Sequence, residues 1–285
     1  MTGTVDMTGQ SGDVPAETIE KAVIPPEQTR SLASRVFRRV RVIVLLLLTV
    51  GLWQALSRGL DVPPYLLPAP DLIIADFLDK PQLALNGFKE TALEATVGFL
   101  IAAALGIGLG IVIARWVVME DMLYPYLNII RVTPVIAIAP LLTIWFGHNS
   151  TPVIIVVTLI AFFPIVVGTV LGLKSVDPDL INLMRTLSAS DRAMLLKIRL
   201  PHAMPYIFSA FRISAPLAVI GALVGEIFGA AQGLGYLLIR ARSTIDTSQV
   251  FLMVVLSAIL GIVFFSIVVA VERRVIKWHP SVVLD

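Results

Sequence analysis

The sequence predicts an all-α, polytopic membrane protein with about six transmembrane helices and both termini in the cytoplasm. Three observations support this prediction. Of the 285 residues, 57% are hydrophobic and 15% are charged, whereas a soluble domain has about 25% charged residues. The apolar residues form six long stretches, and the basic residues are distributed unequally among the segments that join them. A soluble two-domain enzyme is excluded, because there is too little polar surface to cover a globule.

Composition also limits the chemistry that the chain can perform. Without cysteine there is no disulfide framework and no thiolate metal site, and a net charge of +2 gives no global basic field for nucleic acid. The motif G-x-x-x-x-G-K-S/T is absent, so the chain lacks that phosphate-binding loop. The three histidines fall on separate loops, which argues against a metal site. We expect no catalytic residues and no cofactor in this chain.

The predicted order begins with a flexible cytoplasmic tail over residues 1–39, which is polar and contains prolines, followed by a membrane domain over residues 40–285. No cleaved signal peptide is expected, because the first apolar run begins about forty residues into the chain. A span takes about 20 apolar residues. The predicted spans, of which the first and fourth are weakest and could alternatively be buried helices of a soluble core, are residues 40–56, 91–114, 122–146, 152–173, 206–230 and 249–271.

Lysine and arginine set the orientation of the spans. With the N-terminus inside, the cytoplasmic segments hold fourteen basic residues and the outer segments hold five. Because basic residues are enriched in cytoplasmic loops, both termini are predicted to face the cytoplasm. The Gly106–Gly110 stretch lies within the second span, where its small residues predict close helix packing rather than nucleotide binding.

The longest inside loop, residues 175–205, is predicted to form an amphipathic helix pair. Asp177 is a suitable N-cap and Pro178 suits the first helical position. Ser188 or Ser190 can cap the second helix, which Pro201 and Pro205 are expected to stop before the fifth span. One apolar face is formed at positions i, i+3, i+4 and i+7 of the first helix by Leu180, Leu183, Met184 and Leu187.

Two interpretations of this pair remain open on physical grounds. The pair can lie at the lipid interface with its basic residues on headgroups. Alternatively, it can insert into a groove of a soluble partner, because its apolar face is narrow and continuous.

The same loop resembles the permease motif of binding-protein-dependent ABC importers. In that family an E-A-A triplet and a glycine precede an I-x-L-P sequence. Ile198, Leu200 and Pro201 match the I-x-L-P end, whereas Asn182, Leu183 and Met184 replace the triplet and Ser188 replaces the glycine. A serine costs about 1 kcal/mol there if the turn needs positive φ. The resemblance covers about residues 85–280 and is greatest to the branch that imports nitrate, taurine, alkanesulfonates and pyrimidine-type vitamin precursors.

The resemblance implies a six-helix permease subunit, as in type I ABC importers, in a multi-pass complex of the bacterial inner (plasma) membrane. It implies a homodimer, two ATP-binding subunits that hold ATP and Mg, and an extracytoplasmic substrate-binding protein. The loop at about 175–205 would then be a cytoplasmic coupling loop. The residues assigned to coupling are Leu180, Leu183, Met184, Leu187, Ser188, Ile198, Leu200 and Pro201.

Ionisable residues inside spans are costly and indicate a pathway or a pair. Arg131 and Arg212 are expected to form weak sites for an anion along the substrate path, because arginine binds such oxygens bidentately. Glu226 is expected at a closed outer gate, paired with a donor on the partner subunit or a neighbouring helix. The alternative for both arginines is snorkelling or capping of helix carbonyls. Glu90 and Glu94 are expected at the outer interface.

The main alternative to an importer permease is a self-sufficient secondary transporter or channel. The chain shows no obvious inverted repeat and no midplane carboxylate cluster for a coupling ion, as such a carrier would need. A scaffold that only anchors a partner would need neither the intramembrane prolines nor the buried charges.

Overall fold

A computed structural model describes residues 32–277. Most of the predicted tail, residues 1–31, lies outside the described residues, whereas the backbone of residues 32–39 is helical. The chain divides into two compact units, residues 1–52 and 53–285. The site and its packing lie in the second unit.

The described residues form helices joined by turns, with no strand among them, which confirms the all-α prediction. A π turn, Leu195–Arg199, precedes α9. The helices are α1 (Leu32–Gly59), α2 (Pro70–Asp79), α3 (Pro81–Arg115), α4 (Val117–Val132), α5 (Val135–Phe146), α6 (Ser150–Lys174), α7 (Pro178–Thr186), α8 (Asp191–Met194), α9 (Leu200–Gly229), α10 (Leu234–Ser243) and α11 (Thr247–Val275).

All six predicted apolar stretches fall on helices. Four helices of the described part are long and apolar enough to cross a membrane, namely α3, α6, α9 with the turns before it, and α11. Two shorter apolar helices are Ile43–Gly59, within α1, and α5. The chain is therefore a polytopic, helical membrane protein.

The third predicted span, residues 122–146, is wrong as one continuous helix. It is divided into α4 and α5 at Thr133 and Pro134, both of which have extended backbone. The cause is local, because proline disfavours helical backbone in the residue before it and lacks an N–H for the helical ladder. Pro140 remains inside α5.

Small residues hold α6 against α3 on one side and α9 on the other. A Cβ at Gly106 would come within 2.8 Å of Ile165, and one at Gly110 would come within 2.6 Å of Thr169. A Cβ at Gly225 would similarly come within 2.8 Å of Val153 on α6. Close packing at Gly106 and Gly110 is therefore confirmed, and α6 lies at the centre of the helical core.

One ion pair joins the end of α3 to residues 175–199, and a second joins the end of α6, where that segment begins, to α4. Arg115, the last residue of α3, pairs with Asp191 at 2.7 Å. Lys174, the last residue of α6, pairs with Glu120 of α4. The two helix ends and the loop thus lie at one end of the molecule.

Candidate functional site

The first helix of the loop, α7, is capped at both ends by its own residues. The Asp177 carboxylate accepts a hydrogen bond from the Asp179 N–H at 2.8 Å, and Pro178 occupies the first turn. Both features confirm the sequence prediction. These contacts fix where the helix begins.

The helix ends in a Schellman motif centred on Ser188. Ser188 has φ = 56°, and its N–H donates to the Arg185 carbonyl at 2.9 Å, while the Ala189 N–H donates to the Met184 carbonyl at 3.0 Å. The position at which the family has glycine therefore has positive φ, the condition under which a serine is costly. A serine is held here in a conformation that glycine adopts more easily.

The apolar residues of α7 separate into an exposed face and a packed face. Leu180, Leu183 and Leu187 are 42%, 56% and 68% exposed. Met184 instead packs with Ile198 against a small buried cluster of Val176, Ile181 and Met194. The exposed leucines leave an apolar strip unpartnered within the described chain, whereas Met184 and Ile198 hold the loop together.

The second helix of the loop begins at Ser190, whose hydroxyl accepts a hydrogen bond from the Ala193 N–H at 3.2 Å. The expectation that Pro201 and Pro205 stop this helix is wrong. The chain continues from α8 through the π turn into α9, where both prolines lie. The Leu200 N–H bonds to the Leu195 carbonyl, five residues back. This wider turn accommodates Pro201, whose ring would clash with the carbonyl four residues earlier.

The match to I-x-L-P thus lies on a continuous helix. Leu200 packs against a cluster of Leu173, Ala203 and Ile207. The loop is therefore attached to the ends of α6 and α9 through apolar contacts. It is attached to the end of α3 through the ion pair of Asp191 with Arg115. A force applied to the exposed face of α7 would reach the transmembrane helices through these contacts.

The two arginines predicted on the path have different outcomes. The side chain of Arg131 lies outside the described residues. Arg212 on α9 donates through its Nε to the Glu272 carboxylate on α11 at 2.5 Å, and the Glu272 side chain is 5% exposed. Its partner among the described residues is thus a carboxylate rather than a helix carbonyl. Arg212 and Glu226 are not brought together.

Glu226 is 1% exposed and lies against the turn between α9 and α10. Its Oε2 accepts a hydrogen bond from the Gly235 N–H at 2.6 Å. A Cβ at Gly233, where φ is +103°, would lie 2.3 Å from the Glu226 carboxyl carbon. Glycine is required at position 233 by both the backbone conformation and the space.

Glu94 does not lie at an interface, contrary to expectation. It is 2% exposed, and its Oε2 is buried with no hydrogen-bond partner among the described residues. One turn away, the Thr91 hydroxyl accepts from the Leu234 N–H at 2.9 Å. Thr91 thus attaches α3 to the same turn that Glu226 contacts.

The spacing of small and polar residues in the sequence indicates that Thr91 and Glu94 are buried, which the sequence analysis did not use. Gly87, Thr91, Glu94 and Gly98 recur at four, three and four residues, and all four are buried. That spacing is typical of one helix face in contact with a neighbour. Glycines on this face indicate close approach, which places a carboxyl between them inside the protein.

Comparison with known proteins agrees with this architecture. The family described as binding-protein-dependent transport system inner membrane component matches residues 106–277. The putative aliphatic sulfonates transport permease protein SsuC of Bacillus subtilis (strain 168) is 32% identical over 237 residues, covering 81% of this chain and 85% of the relative. The formylaminopyrimidine transport permease protein ThiX of Halalkalibacterium halodurans is 32% identical over 248 residues, covering 87% and 99%.

A third relative, the nitrate import permease protein NrtB of Leptolyngbya laminosa, is 26% identical over 260 residues, covering 88% of this chain and 93% of the relative. Among solved structures, the inward-facing MetNI methionine ABC transporter matches with a TM-score of 0.56 and 21% identity, over 68% of this chain and 98% of the matched chain. That likeness shows the fold. Since the family matches more than half of the chain and relatives above 30% identity cover most of it, the protein belongs to the binding-protein-dependent permeases of ABC transporters.

Proposed function

We propose that this chain forms the transmembrane path of an ABC importer in the bacterial inner membrane. Its solute is a small polar or anionic compound delivered by an extracytoplasmic binding protein, and its energy comes from ATP and Mg bound by two separate ATPase subunits. The observation that carries the proposal is the apolar strip of Leu180, Leu183 and Leu187. These leucines are exposed on a capped helix of the coupling loop.

The strip suits docking into a groove better than lying on lipid. The two caps and the buried Ile181 hold α7 in place before any partner binds, which lowers the ordering cost of binding. Three leucines at positions i, i+3 and i+7 are the pattern of a helix seated in a groove. Ile181 and Met184 pack this helix against Met194 and Ile198 of the same loop. The rest of the loop contacts α3, α6 and α9, so movement of an ATPase can be transmitted to the membrane path.

The docking role is tested by comparing Leu183→Asp with Asn182→Asp. Both variants add one negative charge to adjacent exposed positions of α7, but only Leu183 belongs to the strip. Burying an unpaired carboxylate costs several kcal/mol. We therefore expect Leu183→Asp to lose ATPase co-purification and ATP-driven uptake, while Asn182→Asp retains both.

Retention of the ATPase by Leu183→Asp would contradict the docking role. Solute uptake by the chain alone, without ATP, would instead support the alternative of a self-sufficient transporter. Equal loss in both variants would show that charge anywhere on α7 disturbs the loop, and the strip would then not be the contact.

The solute class is supported by the names of the relatives, which transport aliphatic sulfonates, formylaminopyrimidine and nitrate. In proteoliposomes with the ATPase and the binding protein, these three classes are supplied in turn. ATP-dependent accumulation of one of them supports the class. Accumulation of none would restrict the proposal to the importer mechanism.

The path proposal depends most on Arg131, whose guanidinium suits a weak anion site. Arg212 contributes only if Glu272 releases it, because the ion pair compensates its charge. Glu226 would serve the closed outer gate by holding the turn at Gly233 and Gly235 against α9.

A further inference from the structure

A cavity of about 330 Å³ lies between the coupling loop and the ends of α3 and α6. Ile111 and Leu173 belong to its apolar wall, and Trp116 closes another part of it. This volume lies at the lower end of the range for small-ligand sites. The strip on α7 is not part of the cavity, so the cavity is separate from the docking face.

Three arginines line this cavity, namely Arg115, Arg185 and Arg199, and they face one acidic residue, Asp191. Three guanidinium groups against one carboxylate leave a surplus of two positive charges. Arg115 is paired with Asp191 and lies 5.6 Å from the centre of the Trp116 ring. Its position is therefore fixed on two sides.

The other two arginines share Asp191 with Arg115 but form no ion pair of their own in the described part of the chain. Within residues 32–277, neither Arg185 nor Arg199 has an ion-pair partner, and the Nε of half-buried Arg199 is buried without a hydrogen-bond acceptor. Buried donors in proteins are normally satisfied by a partner, a water or a bound ligand. Since the surplus charge is positive and the free donors are guanidinium N–H groups, the missing partner is an anion with several acceptor oxygens.

We propose that this cavity binds a phosphate group, held by Arg185 and Arg199 and supported by Arg115. The phosphate belongs either to an anionic phospholipid headgroup or to a soluble phosphate compound, because both present the same oxygens to the planar guanidinium fork. Basic pockets at the cytoplasmic ends of membrane helices are suitable sites for lipid headgroups. The solute path is not involved.

The bound phosphate would contact residues of three different elements: α3, α7 and the π turn. Arg115 ends α3, Arg185 lies on α7, and Arg199 ends the π turn before α9. A phosphate contacting all three would restrain the coupling loop relative to the membrane helices. Occupancy would therefore change how firmly movement of α7 is transmitted to α3 and α9.

The test uses the full chain in nanodiscs, together with the subunits that co-purify with it. Two probes are applied: radiolabelled inorganic phosphate in phosphatidylcholine nanodiscs, and phosphatidylglycerol retention measured by native mass spectrometry. Arg185→Gln and Arg199→Gln are compared with Arg192→Gln, which removes an exposed arginine of the same loop outside the cavity. Any phosphate bound by an ATPase subunit contributes equally to all variants, so it does not affect the difference in bound phosphate between them.

We expect Arg185→Gln and Arg199→Gln each to lower binding by roughly tenfold, because each removes a charge-assisted contact, whereas Arg192→Gln leaves binding unchanged. Loss of radiolabelled phosphate binding identifies a soluble phosphate, and loss of phosphatidylglycerol retention alone identifies the lipid. Arg185→Lys, which keeps the charge but not the fork, should bind with intermediate affinity and shows that the loop is intact.

The proposal is overturned if neither probe binds to the unmodified protein, or if the three glutamine variants bind equally. If neither probe binds, release of the ATPase by Arg185→Gln would show that the cavity receives an acidic side chain of that subunit instead. The docking role of the leucine strip is unaffected by either result, because Leu183→Asp tests it separately.

Discussion

Single residues determine the shape of the coupling loop. Ser188 is in the left-handed region, where a side chain costs free energy that glycine does not. Two residues later, Ser190 caps the following helix. One serine therefore opposes the local geometry and the other supports it, although both lie in the same short turn.

Ser188→Gly should stabilise the coupling loop by about 1 kcal/mol, because it removes the strain at positive φ. Amide hydrogen exchange over α7 and α8 measures this as slower exchange, by roughly fivefold if opening is local. Ser190→Ala is the matched control and should speed exchange in α8, because it removes the cap. Unchanged or faster exchange in Ser188→Gly would show that the turn stores no strain.

At the scale of helices, the sequence predicted positions better than continuity. Hydropathy located all six apolar stretches, and residue type alone predicted the cap at Asp177 and restricted the second cap to Ser188 or Ser190, of which the structure has Ser190. The sequence prediction was wrong at two prolines. It missed the helix break at Pro134, and it placed a helix end at Pro201 where the helix continues. A hydropathy window averages composition, so it does not show whether one proline ends a helix or is accommodated by a π turn.

In the candidate site, features that depend on neighbouring residues in sequence could be predicted, and features that depend on distant residues could not. The face of α7 follows from helical spacing, but whether a residue of that face is packed or exposed depends on Val176 and Met194, which lie outside α7. Glu94 is buried on a face of α3 that packs against a distant part of the chain, as the bond between Thr91 and Leu234, 143 positions apart, shows. No local pattern contains that contact.

The helices α9 and α11 are joined by the ion pair of Arg212 and Glu272. Arg212→Gln should destabilise the protein more than Glu272→Gln, because Glu272 is 5% exposed and would remain a buried, unpaired carboxylate, whereas the Arg212 side chain is 28% exposed. Breaking a buried pair costs roughly 3–5 kcal/mol, and removing both charges costs less. Thermal unfolding of the two single variants and the double variant measures the coupling.

The double variant distinguishes a structural pair from a path residue. We expect it to be more stable than Arg212→Gln and to assemble normally. If the double variant is as unstable as the sum of the single variants, the two charges act independently. Arg212 would then be free for another role.

At the scale of the whole molecule, the chain has the membrane helices and one loop of a transporter, and the proposed function needs further subunits. It has one loop of the kind proposed to contact an ATPase, and the permease family to which it belongs works with ATPase partners. The loop is attached to α3, α6 and α9 by an ion pair and apolar contacts, which makes it a mechanical extension of the membrane helices. If each ATPase subunit contacts one loop, the number of loops has to equal the number of ATPase subunits.

A complex with two ATPase subunits therefore requires two coupling loops, which a two-fold dimer of this chain provides. We expect two differently tagged copies, expressed together with the ATPase, to be recovered in one complex after purification on either tag. Chemical cross-linking in membranes before solubilisation controls for association in detergent. Leu183→Asp should release the ATPase but leave the two copies together, because the strip contacts the ATPase and not the second copy. Recovery of only one tag per complex, with the ATPase present, would show that the second loop belongs to a different chain.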